Sequence, residues 1–165
     1  ANTVRPDILM GTLSKALGAE GGYACASKVI IEYLKNKARS FIFATSQTPA
    51  TLAAALRAIE VLEEEPQRAQ NLQHNVEFFL NALHAEGVEA YSPTAIIPII
   101  IGDEKSALQV ADELLANGVL APAIRYPTVA KGTARLRVAL MATHTEAELS
   151  QTAKLIGAAI RKHKK

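Results

Sequence analysis

The sequence contains few of the residues that form covalent cross-links or aromatic cores. Its 165 residues include one cysteine and no tryptophan, and aromatic residues make up 5% of the total. The single thiol, Cys25, excludes an internal disulfide and is typical of a reducing compartment, so we expect a cytoplasmic protein. Because Cys25 lies among small apolar residues, we expect it to be a buried strand residue and not a nucleophile.

Strong charge and long hydrophobic runs are absent as well. Lys and Arg number 18 against 16 Asp and Glu, a formal net charge of +2. This excess is too small to predict nucleic-acid binding, and the basic run 161–165 is typical of a helix C-terminus. No run approaches the roughly 20 apolar residues of a membrane span, and we expect no secretory signal. No cluster has metal-ligand spacing, so no metal is expected.

The pattern of apolar residues predicts an α/β protein. The opening strands lack partners within the chain, so we expect it to be part of a longer protein. Residues 1–65 are predicted to end one α/β domain, 66–86 to form a connecting helix, and 87–165 to form a small C-terminal α/β domain. We expect Pro98 to occupy an edge or irregular strand position. The predicted strands are 7–10, 21–26, 41–45, 95–101, 119–124 and 136–141, and the predicted helices begin at Ser27, at Pro49, after Pro66, near 105 and at Thr145.

A glycine-rich turn around Lys15 is the best candidate site. In Gly11-Thr12-Leu13-Ser14-Lys15-Ala16-Leu17-Gly18, the glycines allow close backbone approach, and the Thr12 and Ser14 hydroxyls could bind a phosphate. A lysine amine in such a turn could attack a carbonyl group. By composition alone, however, a lysine in a glycine-rich turn is more often a surface residue. Neither a Walker loop nor a dinucleotide fingerprint is present.

This turn, together with Gly21-Gly22-Tyr23, resembles the cofactor-lysine segment of the α-oxoamine synthases, which are pyridoxal phosphate (PLP)-dependent fold-type I transferases. The similarity continues in family order through 39–46, 49–50, 123–129, 132–137 and 142–145. It implies that 1–65 is the C-terminal part of the PLP-binding large domain, that 66–86 is the connecting helix, and that 87–165 is the small domain.

The resemblance implies PLP as the cofactor, with Lys15 as the catalytic Schiff-base lysine and Thr12 as a ligand of the cofactor phosphate. Thr45 and Ser46 match a segment that reaches the phosphate of the neighbouring subunit's cofactor. A homodimer with a shared active site is therefore implied.

Two further residues take substrate roles from the same resemblance. Arg137 matches the arginine that holds the amino-acid carboxylate, for which its planar fork is suited. Thr128 matches a substrate contact near the mouth of the site, and Arg125 is a second-rank candidate.

Plainer interpretations of these residues stay open. Arg135 and Arg137 alternate with apolar residues and could form the solvent face of an ordinary strand. Thr45 and Ser46 could cap the helix that begins near Pro49 or serve only to pack the loop before it. His144, which precedes the capping Thr145, is expected to be structural.

The resemblance implies decarboxylative condensation of an amino acid with an acyl-CoA. Residues 123–128 favour the family member that joins L-alanine to pimeloyl-CoA in biotin synthesis over the one that joins glycine to acetyl-CoA. The acidic partner of the cofactor ring and the stacked ring precede the lysine in the family, and Asp7 does not match that acid. We therefore expect these 165 residues alone to be inactive. A non-catalytic folding or dimerisation module is the alternative.

Overall fold

The structure is a computed structural model that describes residues 5–163. Helices and strands are mixed, as predicted for an α/β protein. The chain divides between Glu65 and Pro66 into two compact units. No helix in the described part of the chain is long and apolar enough to cross a membrane.

The first unit combines a hairpin-like pair of strands with three helices. The two strands are antiparallel, with Ile8 opposite Ala26 and Thr12 opposite Gly22. The residues 13–21 that join them form a turn; together with Thr12, the last residue of β1, they are here called the lysine turn. The elements of the unit are β1 (Ile8–Thr12), β2 (Gly22–Ala26), α1 (Lys28–Lys37), α2 (Arg39–Ile42) and α3 (Pro49–Glu64).

Two of these helices begin where the sequence predicts. The Ser27 side chain accepts a hydrogen bond from the Ile30 amide at 3.5 Å at the start of α1. At α3, Thr48 Oγ1 accepts from the Thr51 amide at 3.3 Å, and Pro49 occupies the first helical position. Each cap satisfies an amide that has no partner within its helix, so a short local motif is enough to specify the start.

The predicted strand 41–45 is wrong, because Phe41 and Ile42 belong to α2. The amides of Phe41 and Ile42 both donate to the Ala38 carbonyl at 3.0 Å, and the Phe43 amide donates to the Arg39 carbonyl at the same distance. The Arg39 guanidinium also lies over the Phe43 ring, 5.6 Å from its centroid. A short aromatic run suits a strand only if a partner strand takes its amides, and here the preceding turn of backbone takes them.

The prediction that Cys25 is buried is also wrong, since its thiol is exposed. β1 and β2 form a sheet of two strands, and no residue of β2 is buried. In the described part of the first unit the buried apolar side chains are Leu13, Ala19 and Ala55. Small apolar residues predict a buried strand only where other elements cover both faces of its sheet.

The second unit is a three-stranded antiparallel sheet with three long helices. The strand order is β3-β5-β4, and Ile97 lies opposite Val138 in the register. Pro98 lies in β3, which is an edge strand of this sheet, as predicted. The elements are α4 (Gln67–Ala85), β3 (Ile96–Gly102), α5 (Glu104–Ala116), β4 (Ala123–Ile124), β5 (Ala134–Ala139) and α6 (Glu146–His163).

The predicted strand 119–124 shrinks to the two residues of β4. The first part of that stretch instead belongs to the C-terminal cap of α5. The Val119 amide donates to the Leu114 carbonyl at 2.9 Å, and Gly118 has φ +82°. A helix that ends in this way needs a left-handed residue followed by an amide that points back at the last turn. The apolar pattern of 119–124 does not show that its first amide is already engaged.

One face of the sheet carries the core of the second unit. Its buried side chains come from all three helices and from β3 and β5, and the largest of them are fully enclosed. α4 therefore belongs to this core through Val76, Phe79 and Leu83. The opposite face, with Ile96, Ile100 and Arg137, is exposed. We call it the open face of the sheet.

A buried asparagine holds the loop between β5 and α6. The Asn75 side-chain amide donates to the carbonyls of Met141 and His144, each at 3.0 Å. His144 Nδ1 accepts from the Met141 amide at 3.2 Å, which is the structural role predicted for this histidine. Thr145 and Glu148 then form the predicted capping box, with each amide bonded to the other side chain at 2.8 and 3.3 Å.

Leu83→Ala should destabilise the second unit strongly, because Leu83 is 0% exposed in the core. We expect the free energy of unfolding, measured by urea titration, to fall by about 2–5 kcal/mol. Leu115→Ala is the matched control, since Leu115 lies on α5 and is 59% exposed, and it should change stability by about 0.5 kcal/mol or less. Equal losses in the two variants would contradict this core.

Acid should weaken the contact between the ends of α5 and α6. Lys162 Nζ lies 2.9 Å from the Glu113 carboxylate, and this bond, followed by that of His163, holds the pKa of Glu113 below its ordinary value. A depressed folded pKa stabilises the protein above the unfolded pKa, and this stabilisation is lost as pH falls through the folded pKa. Glu113→Gln should therefore flatten the fall in urea midpoint between about pH 5 and pH 3. The exposed Glu89→Gln should leave it unchanged, and the same pH profile in both variants would refute the assignment.

Candidate functional site

The lysine turn is closed by its own backbone. The Leu13 amide donates to the Gly21 carbonyl and the Ala19 amide donates to the Leu13 carbonyl, both at 2.9 Å. Within this loop the Gly18 amide donates to the Lys15 carbonyl at 3.1 Å. Gly18 has φ +61°, a conformation that costs other residues about 1–2 kcal/mol. The glycine pattern that marks this turn in the sequence thus has a conformational cause.

Apolar contacts anchor the turn to α3 while its lysine stays exposed. Leu13 and Ala19 are buried with Ala55 of α3, and Leu17 packs against the same cluster. Lys15, between these buried residues, is exposed. A fixed backbone and an accessible amine are the combination that a covalent lysine requires.

Two hydroxyl groups lie beside this lysine in the chain. Thr12 Oγ1 and Ser14 Oγ are 2.8 Å apart, and the Ser14 amide donates to Thr12 Oγ1 at 3.2 Å. Thr12 Oγ1 also lies 3.3 Å from the Gly21 carbonyl, to which it can donate. Both residues are exposed, so their hydroxyls are accessible to an anion.

Thr45 and Ser46 lie in the irregular stretch between α2 and α3, and both are exposed. The suggestion that they cap α3 is wrong, because Thr48 provides that cap. Their hydroxyls make no hydrogen bond within residues 5–163 of the structure. They are therefore accessible to a group outside this unit.

Gln47 is a residue that sequence reasoning missed. Its side-chain amide donates to the Glu20 carbonyl at 2.8 Å and so joins the stretch before α3 to the lysine turn. The two residues are 27 positions apart in the chain. A lone glutamine between serine and threonine carries no local signal of such a contact.

In the second unit, Arg135 and Arg137 lie on the open face of the sheet. Arg137 is exposed and sits opposite Pro98, while Arg135 is half-buried and its Nε donates to the Thr133 carbonyl at 3.1 Å. Beside them runs an open groove of about 390 Å³, whose apolar lining includes Tyr91 and Ile124. An exposed guanidinium can bind a carboxylate, and the apolar groove beside it offers a surface against which an alkyl chain can pack.

Thr128 ends a turn that follows β4. Its amide donates to the Arg125 carbonyl at 3.0 Å, and its side chain is exposed. The peptide bond between Tyr126 and Pro127 within this turn is cis. The Lys131 ammonium lies 5.2 Å from the centroid of the Tyr126 ring. Thr128 and Arg137 are thus both accessible residues of the second unit.

The predicted site residues fall into two sets. The first unit contains Thr12, Ser14 and Lys15 in the lysine turn, and Thr45 and Ser46 before α3. Arg137 and Thr128 belong to the second unit. Within residues 5–163 no group of three or more His, Cys, Asp or Glu side chains could hold a metal ion.

Comparison with known proteins defines the class of this chain. The family model of aminotransferase class I and II matches residues 2–156, and the chain belongs to this family.

Among sequence relatives, the chain is 49% identical over 153 residues to the 8-amino-7-oxononanoate synthase 1 of Bacillus subtilis (strain 168), covering 92% of this chain and 39% of the relative. It is 46% identical over 156 residues to the synthase of the same name from Bacillus velezensis, covering 94% and 40%. The chain thus spans about 40% of the length of these relatives.

Comparison with solved structures gives the same result as comparison with sequence relatives. The 8-amino-7-oxononanoate synthase of Francisella tularensis superposes with a TM-score of 0.82 at 30% identity, covering 94% of this chain and 46% of that one. The serine palmitoyltransferase of Sphingomonas wittichii superposes with a TM-score of 0.88 at 27% identity, covering 95% and 40%. The predicted fold class, α/β structure of the PLP-dependent transferase type, is therefore confirmed.

Enzymes of this family depend on PLP, and the lysine turn can be tested for its fit to that group. PLP offers an aldehyde and a phosphate, which call for a primary amine and for hydrogen-bond donors. The turn presents the Lys15 amine and the hydroxyls of Thr12 and Ser14, all on exposed residues. The donor set therefore fits the cofactor.

Proposed function

We propose that these residues supply the cofactor lysine and the C-terminal part of a PLP-dependent acyltransferase. The reaction is the condensation of an amino acid with an acyl-CoA, with loss of CO₂. The observation that carries the proposal is the exposed Lys15 on a turn fixed by buried Leu13 and Ala19. That turn lies in a chain 49% identical to an 8-amino-7-oxononanoate synthase.

The lysine turn is proposed to hold the cofactor through two groups. The Lys15 amine would hold the cofactor covalently and, once the substrate amine had displaced it, would move a proton at the substrate α-carbon, and the Thr12 hydroxyl would donate to the phosphate. PLP, when bound, withdraws electrons from the substrate α-carbon. Because Ser14 Oγ lies 2.8 Å from Thr12 Oγ1, the Ser14 hydroxyl can donate to Thr12 Oγ1 and leave the single Thr12 proton for the phosphate.

Thr45 and Ser46 are proposed to reach the cofactor phosphate of a neighbouring subunit. Both are exposed in an irregular stretch, and neither caps α3. Hydroxyls without a partner in their own unit are free to serve another one. The enzyme is then a homodimer whose two active sites each use residues from both subunits.

Arg137 is proposed to bind the carboxylate of the amino-acid substrate. A guanidinium holds a carboxylate with two parallel hydrogen bonds and so sets the orientation of the α-C–H bond. Arg137 is exposed on the open face of the sheet, which leaves its donors accessible. Thr128, also exposed, is proposed to contact substrate near the mouth of the site.

The domain organisation that we propose follows from the same relationship. Residues 1–65 are the C-terminal part of the PLP-binding large domain, 66–86 the connecting helix and 87–165 the small domain. The apolar face of α3 supports the first assignment, because Leu52, Leu56 and Leu62 are 51, 59 and 45% exposed. Such a face is expected on a helix that other parts of a larger domain cover.

The substrates that we propose are L-alanine and pimeloyl-CoA, in cytoplasmic biotin synthesis. The support is the name shared by the relatives of Bacillus subtilis and Bacillus velezensis. The second candidate is glycine C-acetyltransferase, with glycine and acetyl-CoA, and residues 123–128 favour the first pair over it. A chain of this length acting alone would instead be a non-catalytic folding or dimerisation module.

The cofactor assignment is tested by absorbance. The full-length enzyme that carries these residues should develop a visible band with PLP, and borohydride should abolish it by reducing the bond to Lys15. Lys15→Ala should show no band. Lys28→Ala, which removes an exposed lysine at the start of α1, should keep it.

Two results would count against the assignment. A band that survives in Lys15→Ala would place the covalent site on another lysine. No band in the unaltered enzyme would exclude the proposed cofactor site altogether.

Substrate identity is tested by competition between the two pairs. The full-length enzyme should have a higher kcat/KM with L-alanine and pimeloyl-CoA than with glycine and acetyl-CoA, because the pimeloyl chain is longer and ends in a free carboxylate that the enzyme can recognise. CoA release measures both rates in the same assay. Preference for glycine and acetyl-CoA would support the second candidate function.

A further inference from the structure

We propose that Gln47 is a positioning residue, which holds the lysine turn against the stretch that carries Thr45 and Ser46. The inference rests on the proposed function, since it concerns the same cofactor site. Gln47 is distinct from the groups proposed to touch the cofactor. It acts on Lys15 indirectly, through the backbone of the lysine turn.

The contact between Gln47 and Glu20 is short, and the absence of a side chain at Gly21 leaves room for it. Gln47 Nε2 donates to the Glu20 carbonyl at 2.8 Å. The amide lies over Gly21, where a Cβ would stand 1.5 Å from Nε2. Gly21 also has φ +104°, a backbone conformation that residues other than glycine rarely adopt. Glycine at this position therefore makes room for the glutamine amide as well as for the turn.

Gln47 fixes the one end of the lysine turn that apolar packing leaves open. Leu13 and Ala19 are buried with Ala55, which holds the turn from its beginning as far as Ala19. The exposed Glu20 follows them, and its carbonyl is taken by Gln47. The Gly21 carbonyl in turn accepts the Leu13 amide at 2.9 Å and closes the loop.

The same side chain connects two parts of the proposed site. Gln47 directly follows Ser46 in the chain and precedes Thr48, the cap of α3. Its hydrogen bond is the one side-chain link between the stretch 43–48 and the lysine turn found within residues 5–163. In a dimer with shared sites, Gln47 would thus tie the lysine of one site to the hydroxyls that serve the other.

Loss of this hydrogen bond is therefore expected to lower kcat without a comparable change in KM. A lysine whose backbone drifts still bonds to the cofactor but meets the substrate proton in poorer geometry, and small misplacements reduce rates steeply. A neutral hydrogen bond of this kind corresponds to about a 3- to 10-fold change. We expect that change in kcat, with KM for the amino acid altered by less than about twofold.

The test uses Gln47→Met in the full-length enzyme, because methionine keeps the length of the side chain and removes the donor. We expect the visible PLP band to be retained, kcat to fall about 3- to 10-fold, and the thermal midpoint to stay within a few degrees of the unaltered enzyme. Gln73→Met is the matched control. Gln73 donates to Glu77 within α4, in the second unit, and its loss should leave kcat unchanged.

A second variant keeps the test decisive if methionine disturbs folding. Gln47→Asn retains the amide, but it is one methylene too short to keep the 2.8 Å bond to Glu20, so it should lower kcat in the same way. Unchanged kcat in a folded Gln47→Met or Gln47→Asn enzyme that still shows the band would overturn the positioning role alone. If the unaltered enzyme shows no band, the proposed function fails and this inference fails with it.

Discussion

The packing of Leu13 and Ala19 against Ala55 is the contact on which the candidate site depends. A glycine-rich turn between two strands has many conformations available to it, and fixing one costs conformational entropy. These small apolar contacts, with the backbone bonds between Leu13, Ala19 and Gly21, hold one conformation. Lys15 stays exposed on it. The position proposed for the lysine amine therefore follows from the packing and backbone bonds of the residues around it.

The two units of the chain are stabilised to different degrees by their own residues. The second unit encloses a continuous core that includes Phe79, Leu83 and Ile156 at 0% exposure. In the first unit, long apolar side chains such as Met10 and Phe43 remain more than three-quarters exposed. The proposed substrate arginine thus stands on the self-contained unit, and the proposed cofactor lysine on the unit with little core of its own.

Local signals in the sequence predicted most of the fold, and the errors concern strands, whose formation depends on partners that a local pattern does not show. Caps such as Ser27 and Thr145 act within one helical turn, so a few residues suffice to find them. The aromatic run 41–45 looked like a strand, but strands need partners that no local pattern reveals. The lysine turn was identified by glycines, hydroxyls and family resemblance. Gln47 was missed because its partner Glu20 is distant in the chain. The bond is to the Glu20 backbone carbonyl, which every residue type has, so the sequence does not mark it.

The central claim is that Lys15, and no other lysine, forms the covalent bond to the cofactor. The most direct measurement is to reduce the PLP-loaded full-length enzyme with borohydride, digest it, and find the modified residue by mass spectrometry. The account predicts one modified site, in the peptide that contains Thr12, Ser14 and Lys15. A cofactor mass on a different lysine, or spread over many lysines with none preferred, would contradict it.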